Sequence, residues 1–195
     1  MLIYLIRHGQ TTGDIEDRYG GNYDDHLTKK GQEQVEELSE TLKKLNIKKI
    51  FHSPRHRARE SAEILGKNLN VSLEEVKDIK ERNNYGVMSG MIRSEARAKY
   101  PEEAAKLDKD NWFHDVKESE NYDDFKCRAL ASFHSILDNK EDVIGIVSHG
   151  GVISCILREL FQFRIKMEDC GFFELEFNGS SLKLLSVNGA ELYDL

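Results

Sequence analysis

Residues 2–9 read LIYLIRHG, five apolar residues followed by Arg-His-Gly. A continuous apolar run of this length is typical of a strand that is buried on both faces of a parallel sheet. Residues 143–151 read VIGIVSHGG and repeat the pattern, an apolar run followed by a histidine and glycine. The two stretches therefore predict two buried strands, each of which leads into a histidine loop.

The segments between these strands alternate between helical and extended patterns. Thr28 is a plausible helix N-cap, Ser53 is a second one, and Pro54 suits the first turn of a helix. The spacing of apolar residues predicts helices over residues 28–45, 53–69, 125–137 and 152–161, and strands over residues 47–52, 71–76, 172–177 and 182–187, the last two joined as a hairpin through residues 178–179.

Alternating strands and helices predict an α/β fold. We expect a three-layer sandwich with a mainly parallel central sheet and helices on both faces, built as a single domain over residues 1–195. Residues 86–121 are highly charged and contain short helical patterns. They are predicted to form a helical and loop lid inserted over that domain.

Composition excludes several classes of protein. The chain has 195 residues, 28 Lys and Arg against 35 Asp and Glu, and a formal charge of -7, so general affinity for nucleic acid is not expected. The only three cysteines, an odd number without a C-x-x-C pair, favour a reducing compartment, and we predict the cytoplasm. The amino-terminal apolar run is too short to span a membrane, so no membrane association is expected.

Loops that follow parallel strands converge on one crevice, so Arg7, His8 and His149 are expected to meet there. The basic run at residues 55–59 falls at the predicted start of a helix, where free backbone N–H groups attract anions. A charge run is more often a solvated helix face, but Arg57 lies on the opposite side of this helix from Arg55 and Arg59. Arg7, His8, Arg57 and His149 therefore predict a small basic pocket suited to one phosphoryl group.

Phosphoryl transfer needs charge neutralisation, a nucleophile and an acid. Guanidinium groups match the geometry of phosphate oxygens, and a neutral imidazole can attack phosphorus to give a covalent intermediate. Gln10 and Thr11 follow the first histidine and can hydrogen-bond phosphoryl oxygens, although closing the turn is an equally good role for them. A carboxyl group beside the phosphate can protonate the leaving oxygen. Residue types alone do not decide which histidine is the nucleophile.

Three segments in chain order resemble the histidine phosphatase superfamily, in its phosphoglycerate-mutase-like branch. They are the RHGQT motif at residues 7–11, the SPxxRA segment at 53–58 and the SHGG motif at 148–151. The resemblance implies a cofactor-independent phosphatase that hydrolyses small phosphate monoesters through a phosphohistidine, without a metal. It implies that His8 is the nucleophile, that Glu81 is the proton donor, and that the phosphoryl group is bound by Arg7, Gln10, Thr11, Arg57, His149 and Gly150.

Departures from the family pattern bear on the reaction. Many mutases carry Asn where Asp14 and Gly151 stand, and Gly151 in particular favours a phosphatase. Asp14 is not included in the site, because a carboxylate opposes phosphate. His52 and His56 have a spacing seen in metal sites but no convincing partners, so no metal is expected. The lid residues that can meet the rest of a substrate are Arg93, Arg97, Tyr100, Trp112 and His114.

Other functions stay open at this stage. A phosphoglycerate-type mutase has the same pocket and returns the phosphoryl group to a second hydroxyl. A phospho-ligand binding module without turnover also fits, if Glu81 does not reach the leaving oxygen. Nucleic-acid binding through residues 55–59 is a weaker alternative.

Overall fold

A computed structural model describes residues 1–110 and 112–195; residue 111, inside the predicted lid, lies outside the described residues. The strands are β1 (Leu2–Arg7), β2 (Lys49–His52), β3 (Ser72–Glu75), β4 (Val143–Ser148), β5 (Phe163–Phe177) and β6 (Leu182–Asp194). The α-helices of the described ranges are α1 (Thr12–Ile15), α2 (Lys29–Leu42), α3 (His56–Leu69), α4 (Arg93–Lys99), α5 (Pro101–Lys109), α6 (Tyr122–Leu137) and α7 (Gly150–Phe161).

The six strands form one sheet in the order β3-β2-β4-β1-β5-β6. The pairs β2/β3, β2/β4 and β1/β4 are parallel, whereas β1/β5 and β5/β6 are antiparallel. The predicted α/β fold with a mainly parallel sheet is thereby confirmed. Because β1, β2 and β4 run in the same direction, the loops that follow them open at the same edge of the sheet.

Helices cover both faces of this sheet, as predicted. Ile3 and Leu5 of β1 belong to an apolar core that includes residues of α6 and α7. Tyr4 and Ile6 belong to a second core that includes residues of α2 and α3. Successive side chains of a strand point to opposite faces, so a continuous apolar run is what a strand between two helical layers requires.

The carboxyl-terminal hairpin is longer than predicted. Its strands span Phe163–Phe177 and Leu182–Asp194, not only residues 172–177 and 182–187. Residues 163–168 alternate between half-buried apolar and exposed charged side chains, which is the pattern of a half-exposed strand. The predicted strand began only at Phe172 and therefore left this alternating stretch out.

Helix α3 also begins later than predicted, at His56 with Arg55 at its N-cap. Ser53 and Pro54 lie in the loop before it. The Ser53 hydroxyl accepts a hydrogen bond from the Arg55 amide and contacts the His149 ring, so it does not cap the helix.

The predicted lid segment contains α4, α5 and a 3-10 turn at Gly86–Met88. It has a small apolar core of its own, into which Tyr19 packs from the loop after α1. The Gly90 amide donates to the Tyr19 carbonyl at 2.7 Å, which ties the segment to that loop. In the described ranges, no helix has the length and apolar character that a bilayer span needs.

Candidate active site

The carboxyl ends of β1 and β4 bring two histidines together. Arg7 pairs with Ser148 at the end of the parallel ladder, and His8 and His149 follow directly. Their ring centroids lie 5.2 Å apart with an interplanar angle of 64°. Two residues 141 positions apart in the sequence therefore meet at one point, because the strands before them are neighbours in the sheet.

His8 is buried, and its two ring nitrogens have distinct environments. Nδ1 lies 2.8 Å from the Gly9 carbonyl, and Nε2 accepts a hydrogen bond from Nε of Arg57 at 3.2 Å. A carbonyl can only accept, so Nδ1 carries the proton and Nε2 carries the lone pair. Burial, together with the positive charges of Arg57 and Arg7, holds the pKa of His8 well below its usual range. The site thus presents a neutral imidazole.

The loop after β1 is fixed by a close crossing with α2. A Cβ added at Gly9 would lie 2.5 Å from the Gly31 carbonyl oxygen, and one added at Gly31 would lie 2.1 Å from that of Gln10. The Gly9 amide also donates to the Ser61 hydroxyl of α3 at 3.2 Å. Glycine is required at both crossing positions, and the crossing fixes the backbone that follows His8.

His149 is fully buried at the N-cap position of α7. Its Nε2 lies 2.7 Å from the Ser53 hydroxyl, whereas its Nδ1 is buried without a hydrogen-bond partner among the described residues. Burial first, and then the charges of nearby residues led by Arg57, hold the pKa of His149 well below its usual range. An unpartnered buried ring nitrogen beside His8 is a free contact point for a bound group.

Arg57 lies in the first turn of α3 and is only 4% exposed. Its Nη1 donates to the Tyr23 carbonyl at 2.8 Å and to Oδ1 of Asp25 at 2.7 Å, while its Nε donates to His8. Asp25 is equally buried and also accepts the Gly13 amide at 3.2 Å. The guanidinium is therefore held in place by a buried carboxylate on one side and by the imidazole on the other.

Arg7 is oriented by the carboxyl-terminal hairpin. Its Nη1 donates to the Met167 carbonyl at 2.6 Å, and its Nη2 pairs with Oδ1 of Asp169 at 3.1 Å. The Cys170 amide of the same strand donates to the His8 carbonyl at 3.2 Å. The additional length of β5 therefore supplies the second wall of the pocket.

Glu81 reaches the same pocket from the loop after β3. Its carboxylate accepts the Arg82 amide at 2.9 Å and the Gly151 amide at 3.1 Å. A Cβ added at Gly151 would lie 2.3 Å from Oε1 of Glu81. The glycine at the start of α7 thus leaves the space that the carboxylate occupies.

The remaining predicted contacts divide into two groups. Thr11 and Gly150 line the cleft, as does Asp14. The Thr11 amide and hydroxyl both donate to Oδ2 of Asp14, at 2.9 and 2.8 Å, so Thr11 at the N-cap and Asp14 form a capping box at the start of α1. Gln10 is not among the described residues that line the cleft, and its Oε1 accepts from Thr28 at 2.9 Å. This geometry does not support the prediction that Gln10 contacts a phosphoryl group.

A model of the histidine phosphatase superfamily (branch 1) matches residues 3–189. The chain belongs to this superfamily. The match confirms the resemblance drawn from the RHG and SHGG motifs, and it covers the sheet, the site residues and most of the hairpin.

Relatives of this histidine phosphatase include phosphatases. It is 31% identical over 158 residues to an uncharacterized phosphatase, PhoE, of Bacillus subtilis, covering 81% of this chain and 76% of the relative. It is 32% identical over 157 residues to a 6-phosphofructo-2-kinase/fructose-2,6-bisphosphatase of Gallus gallus. That match covers 80% of this chain and only 32% of the bifunctional protein, so it spans about a third of that relative.

Solved structures share the fold over nearly the whole chain. The α-ribazole phosphatase from Shigella flexneri superposes with a TM-score of 0.83 at 22% identity, covering 96% of both chains. A mycobacterial glucosyl-3-phosphoglycerate phosphatase in complex with VO3 gives 0.83 at 20% identity over 97% of this chain and 99% of the other. A phosphoglycerate mutase from Bacillus anthracis gives 0.82 at 22% identity, covering 96% of this chain and 92% of the mutase.

The cleft of this histidine phosphatase has a volume of about 430 Å³. Of the lid residues predicted to meet a substrate, Arg93 and Trp112 line it, whereas Arg97, Tyr100 and His114 are not among its described lining residues. Arg97 forms an exposed two-bond ion pair with Asp108, Tyr100 packs on the lid core, and His114 contacts Asn84.

Several site residues were missed by sequence reasoning. Asp25 and Tyr23 hold Arg57, and Met167 and Asp169 hold Arg7. Asp169 had a detectable signal, since it occupies an inward position in the alternating stretch where Phe163, Ile165 and Met167 precede it. Asp25 had no such signal in the sequence, because it is one of two adjacent aspartates in a loop without periodicity.

Proposed function

We propose that this chain is a metal-independent phosphatase that hydrolyses small phosphate monoesters through a phosphohistidine at His8. The observation that carries the proposal is the lone pair on His8 Nε2. The His8 ring is buried and neutral, contacts Arg57 and lies beside the ring of His149. Sequence similarity to phosphatases also supports the hydrolysis of phosphate esters.

In the first step, Nε2 of His8 attacks phosphorus, and the bond from phosphorus to the leaving oxygen breaks. The guanidiniums of Arg7 and Arg57 bind the remaining phosphoryl oxygens and neutralise their charge, and Nδ1 of the neutral His149 ring adds a hydrogen bond. The carboxyl group of Glu81 transfers its proton to the leaving oxygen, which departs as an alcohol.

In the second step, water attacks the phosphohistidine. The Glu81 carboxylate accepts a proton from this water, the bond between phosphorus and nitrogen breaks, and His8 returns to its neutral form. Inorganic phosphate leaves, and Glu81 is again a protonated acid. One carboxyl group serves both steps because it gives a proton in the first and regains one in the second.

The cleft volume of about 430 Å³ suits a phosphoryl group with a small leaving group. We place this activity in the cytoplasm, because Cys127, Cys155 and Cys170 are free thiols in the folded chain.

The test compares three proteins with two substrates, an alkyl phosphate and nitrophenyl phosphate. His8→Ala is expected to lose turnover of both. Glu81→Gln is expected to lose turnover of the alkyl ester while it still releases nitrophenolate, a leaving group that needs no proton. When the wild-type protein is mixed with substrate labelled in its phosphoryl group and the reaction is stopped rapidly without acid, the label is expected on His8.

Activity of His8→Ala equal to wild type would refute the nucleophile. A mutase is distinguished in the same assay, because it transfers the label to a second hydroxyl of a phosphoglycerate and releases little phosphate. Tight phosphate binding without turnover of any ester would identify a binding module.

A further inference from the structure

A second cluster of potential ligands, on α3 and in the loop before α2, lies outside the described lining of the catalytic cleft. His26, His56 and Glu60 each offer one ligand atom, and these atoms all lie within 4.8 Å of one another. The two imidazole rings are stacked, with centroids 4.5 Å apart and an interplanar angle of 18°. Nδ1 of His26 contacts Oε1 of Glu60 directly.

The backbone holds these side chains together. His56 and Glu60 are four positions apart on α3 and therefore share one face of the helix. The loop is fixed to that helix at two points, since the Leu27 amide donates to Oε2 of Glu60 at 2.9 Å and the His56 amide donates to Oδ1 of Asp24 at 2.8 Å. The cluster is thus built by two segments whose relative position is already set.

We propose that His26, His56 and Glu60 bind a divalent transition-metal ion of the Zn²⁺ class. Two imidazoles and one carboxylate are typical donors for Zn²⁺, whereas Mg²⁺ and Ca²⁺ prefer oxygen donors alone. Zn²⁺ has no preferred geometry from its d electrons, so it tolerates the arrangement that this loop and helix impose.

Coordination requires the three ligand atoms to move closer together than they are in the structure. Tetrahedral ligand atoms at about 2.0–2.1 Å from Zn²⁺ lie roughly 3.4 Å from one another. The distances between the ligand atoms of His26, His56 and Glu60 must therefore shorten when the ion binds. His26 is free to move, since 61% of its side chain is exposed. Nδ1 of His56 contacts Arg59, which leaves Nε2 of His56 as its ligand atom. Oδ2 of Asp24, 3.8 Å from that Nε2, or water completes the shell.

The sequence accounts for why this cluster escapes motif searches. His26 lies thirty residues before His56. The spacing that sequence reasoning tested, His52 with His56, joins residues that the structure separates. His52 is buried at the end of β2 with its Nδ1 against the Ser53 carbonyl, and His56 begins α3.

The proposed metal site takes no part in the catalytic steps. Its residues are nevertheless sequence neighbours of residues in the phosphate pocket. Asp25 lies between Asp24 and His26, and Arg57 follows His56. An ion bound by both the loop and α3 therefore holds together the two segments that carry the ion pair of Arg57 with Asp25. Metal binding here is expected to raise thermal stability, because a ligand that binds only the folded state stabilises it.

The experiment titrates Zn²⁺ into the full chain against a chromophoric chelator, in phosphate-free buffer. All proteins carry Cys127→Ser, which removes the exposed thiol. The test variants are His26→Ala and Glu60→Gln, and Glu60→Gln keeps an oxygen acceptor for the Leu27 amide. His134→Ala, an exposed histidine on α6, is the matched control.

We expect one Zn²⁺ per chain, at least tenfold weaker binding in both test variants, and unchanged binding in the control. Zn²⁺ is expected to raise the melting temperature of the parent and the control but not of the test variants. Melting without Zn²⁺ checks that every variant folds. The proposal is overturned if the parent shows no saturable binding, or if His26→Ala binds Zn²⁺ as tightly as the parent does.

Discussion

The Glu81 carboxylate occupies the space that any side chain at position 151 would fill. The Gly151 amide donates to Oε2 at 3.1 Å, while a Cβ on the same residue would lie 2.3 Å from Oε1. One residue thus both binds the proposed acid and, by lacking a side chain, makes room for it. Any residue with a Cβ at position 151 would therefore force the Glu81 carboxylate to shift.

Gly151→Ala is predicted to move the acid without unfolding the protein. The colliding atom is the end of a flexible side chain, so Glu81 rotates away and the backbone stays. General acid catalysis contributes about 10²–10⁴-fold, and we expect the variant to lose about 10- to 100-fold in kcat for an alkyl phosphate. Nitrophenyl phosphate, which needs no protonation, is expected to lose far less.

The control adds Gly151→Ala to Glu81→Gln. If position 151 acts through the acid, the second change lowers kcat for the alkyl phosphate no further, because the proton donor is already absent. Equal losses for both substrates in Gly151→Ala, or a further loss in the double variant, would show that position 151 does not act through the acid.

Asp25→Ala is predicted to damage both stability and phosphate binding. The Arg57–Asp25 pair is buried on both sides, at 5% exposure each, and removing one partner leaves an uncompensated charge. We expect a loss of about 3–5 kcal/mol in the free energy of unfolding, measured by urea denaturation. A milder variant, Asp25→Asn, is expected to fold and to bind inorganic phosphate at least tenfold more weakly.

Asp108→Ala provides the comparison, since it breaks an ion pair with Arg97 that is exposed on both sides. Pairs of that kind contribute about 0–1 kcal/mol. If Asp25→Ala costs no more than Asp108→Ala, the buried pair does not anchor Arg57.

Because of His8 and His149, the free energy of unfolding is predicted to fall as the pH is lowered. Both folded-state pKa values lie below 6.5, mainly because of burial, whereas the unfolded chain titrates near the ordinary value. Below about pH 6.5 the unfolded state therefore binds protons that the folded state does not, and folding loses up to about 1.4 kcal/mol per pH unit for each histidine. Above that pH the contribution is constant.

The check is urea denaturation of the phosphate-free protein at several pH values between 5 and 7.5. His149→Asn removes one of the two groups and places a residue that favours N-cap positions at the start of α7, where the His149 side chain makes no capping hydrogen bond. Its stability is expected to depend less steeply on pH than that of wild type. The same slope in both proteins would mean that His149 is not held neutral by the fold.

The sequence predicted the parts of this molecule that depend on local pattern. Buried strands need continuous apolar residues, so residues 2–6 and 143–147 were identified directly, and the loops that follow them gave both histidines. The α/β pattern places the loops after parallel strands at one edge of the sheet, which is why the meeting of His8 and His149 could be expected. The direct pairing of β1 with β4 is known only from the structure.

The parts that were missed depend on tertiary contacts. Asp25 matters only because its loop packs on α3, and Asp169 matters only because β5 extends past the end of β1. Gln10 was expected in the pocket from its position beside His8, but the crossing of the loop with α2 turns it towards Thr28. The alternating stretch before Asp169 could have predicted the longer strand, but no periodicity in the chain marks the packing of Asp25 or Gln10.

Asp14→Asn is predicted to tighten phosphate binding. Asp14 lines the cleft, so its negative charge opposes a bound dianion even while Oδ2 accepts from the Thr11 amide and hydroxyl. Asparagine keeps an oxygen for these hydrogen bonds and removes the charge. We expect the Kd for inorganic phosphate, measured by calorimetry, to fall threefold to tenfold, or about 0.6–1.4 kcal/mol.

The matched control is Asp142→Asn, which removes the same charge from an exposed side chain just before β4, at the opposite end of the strand from His149. Its effect is expected to be small, because solvent and salt screen charges over that distance. The gain in Asp14→Asn should shrink as ionic strength rises, since a charge that borders an open cleft is partly screened. Weaker phosphate binding in Asp14→Asn than in wild type would instead show that the carboxylate supports the site, by holding Thr11 and α1 in place.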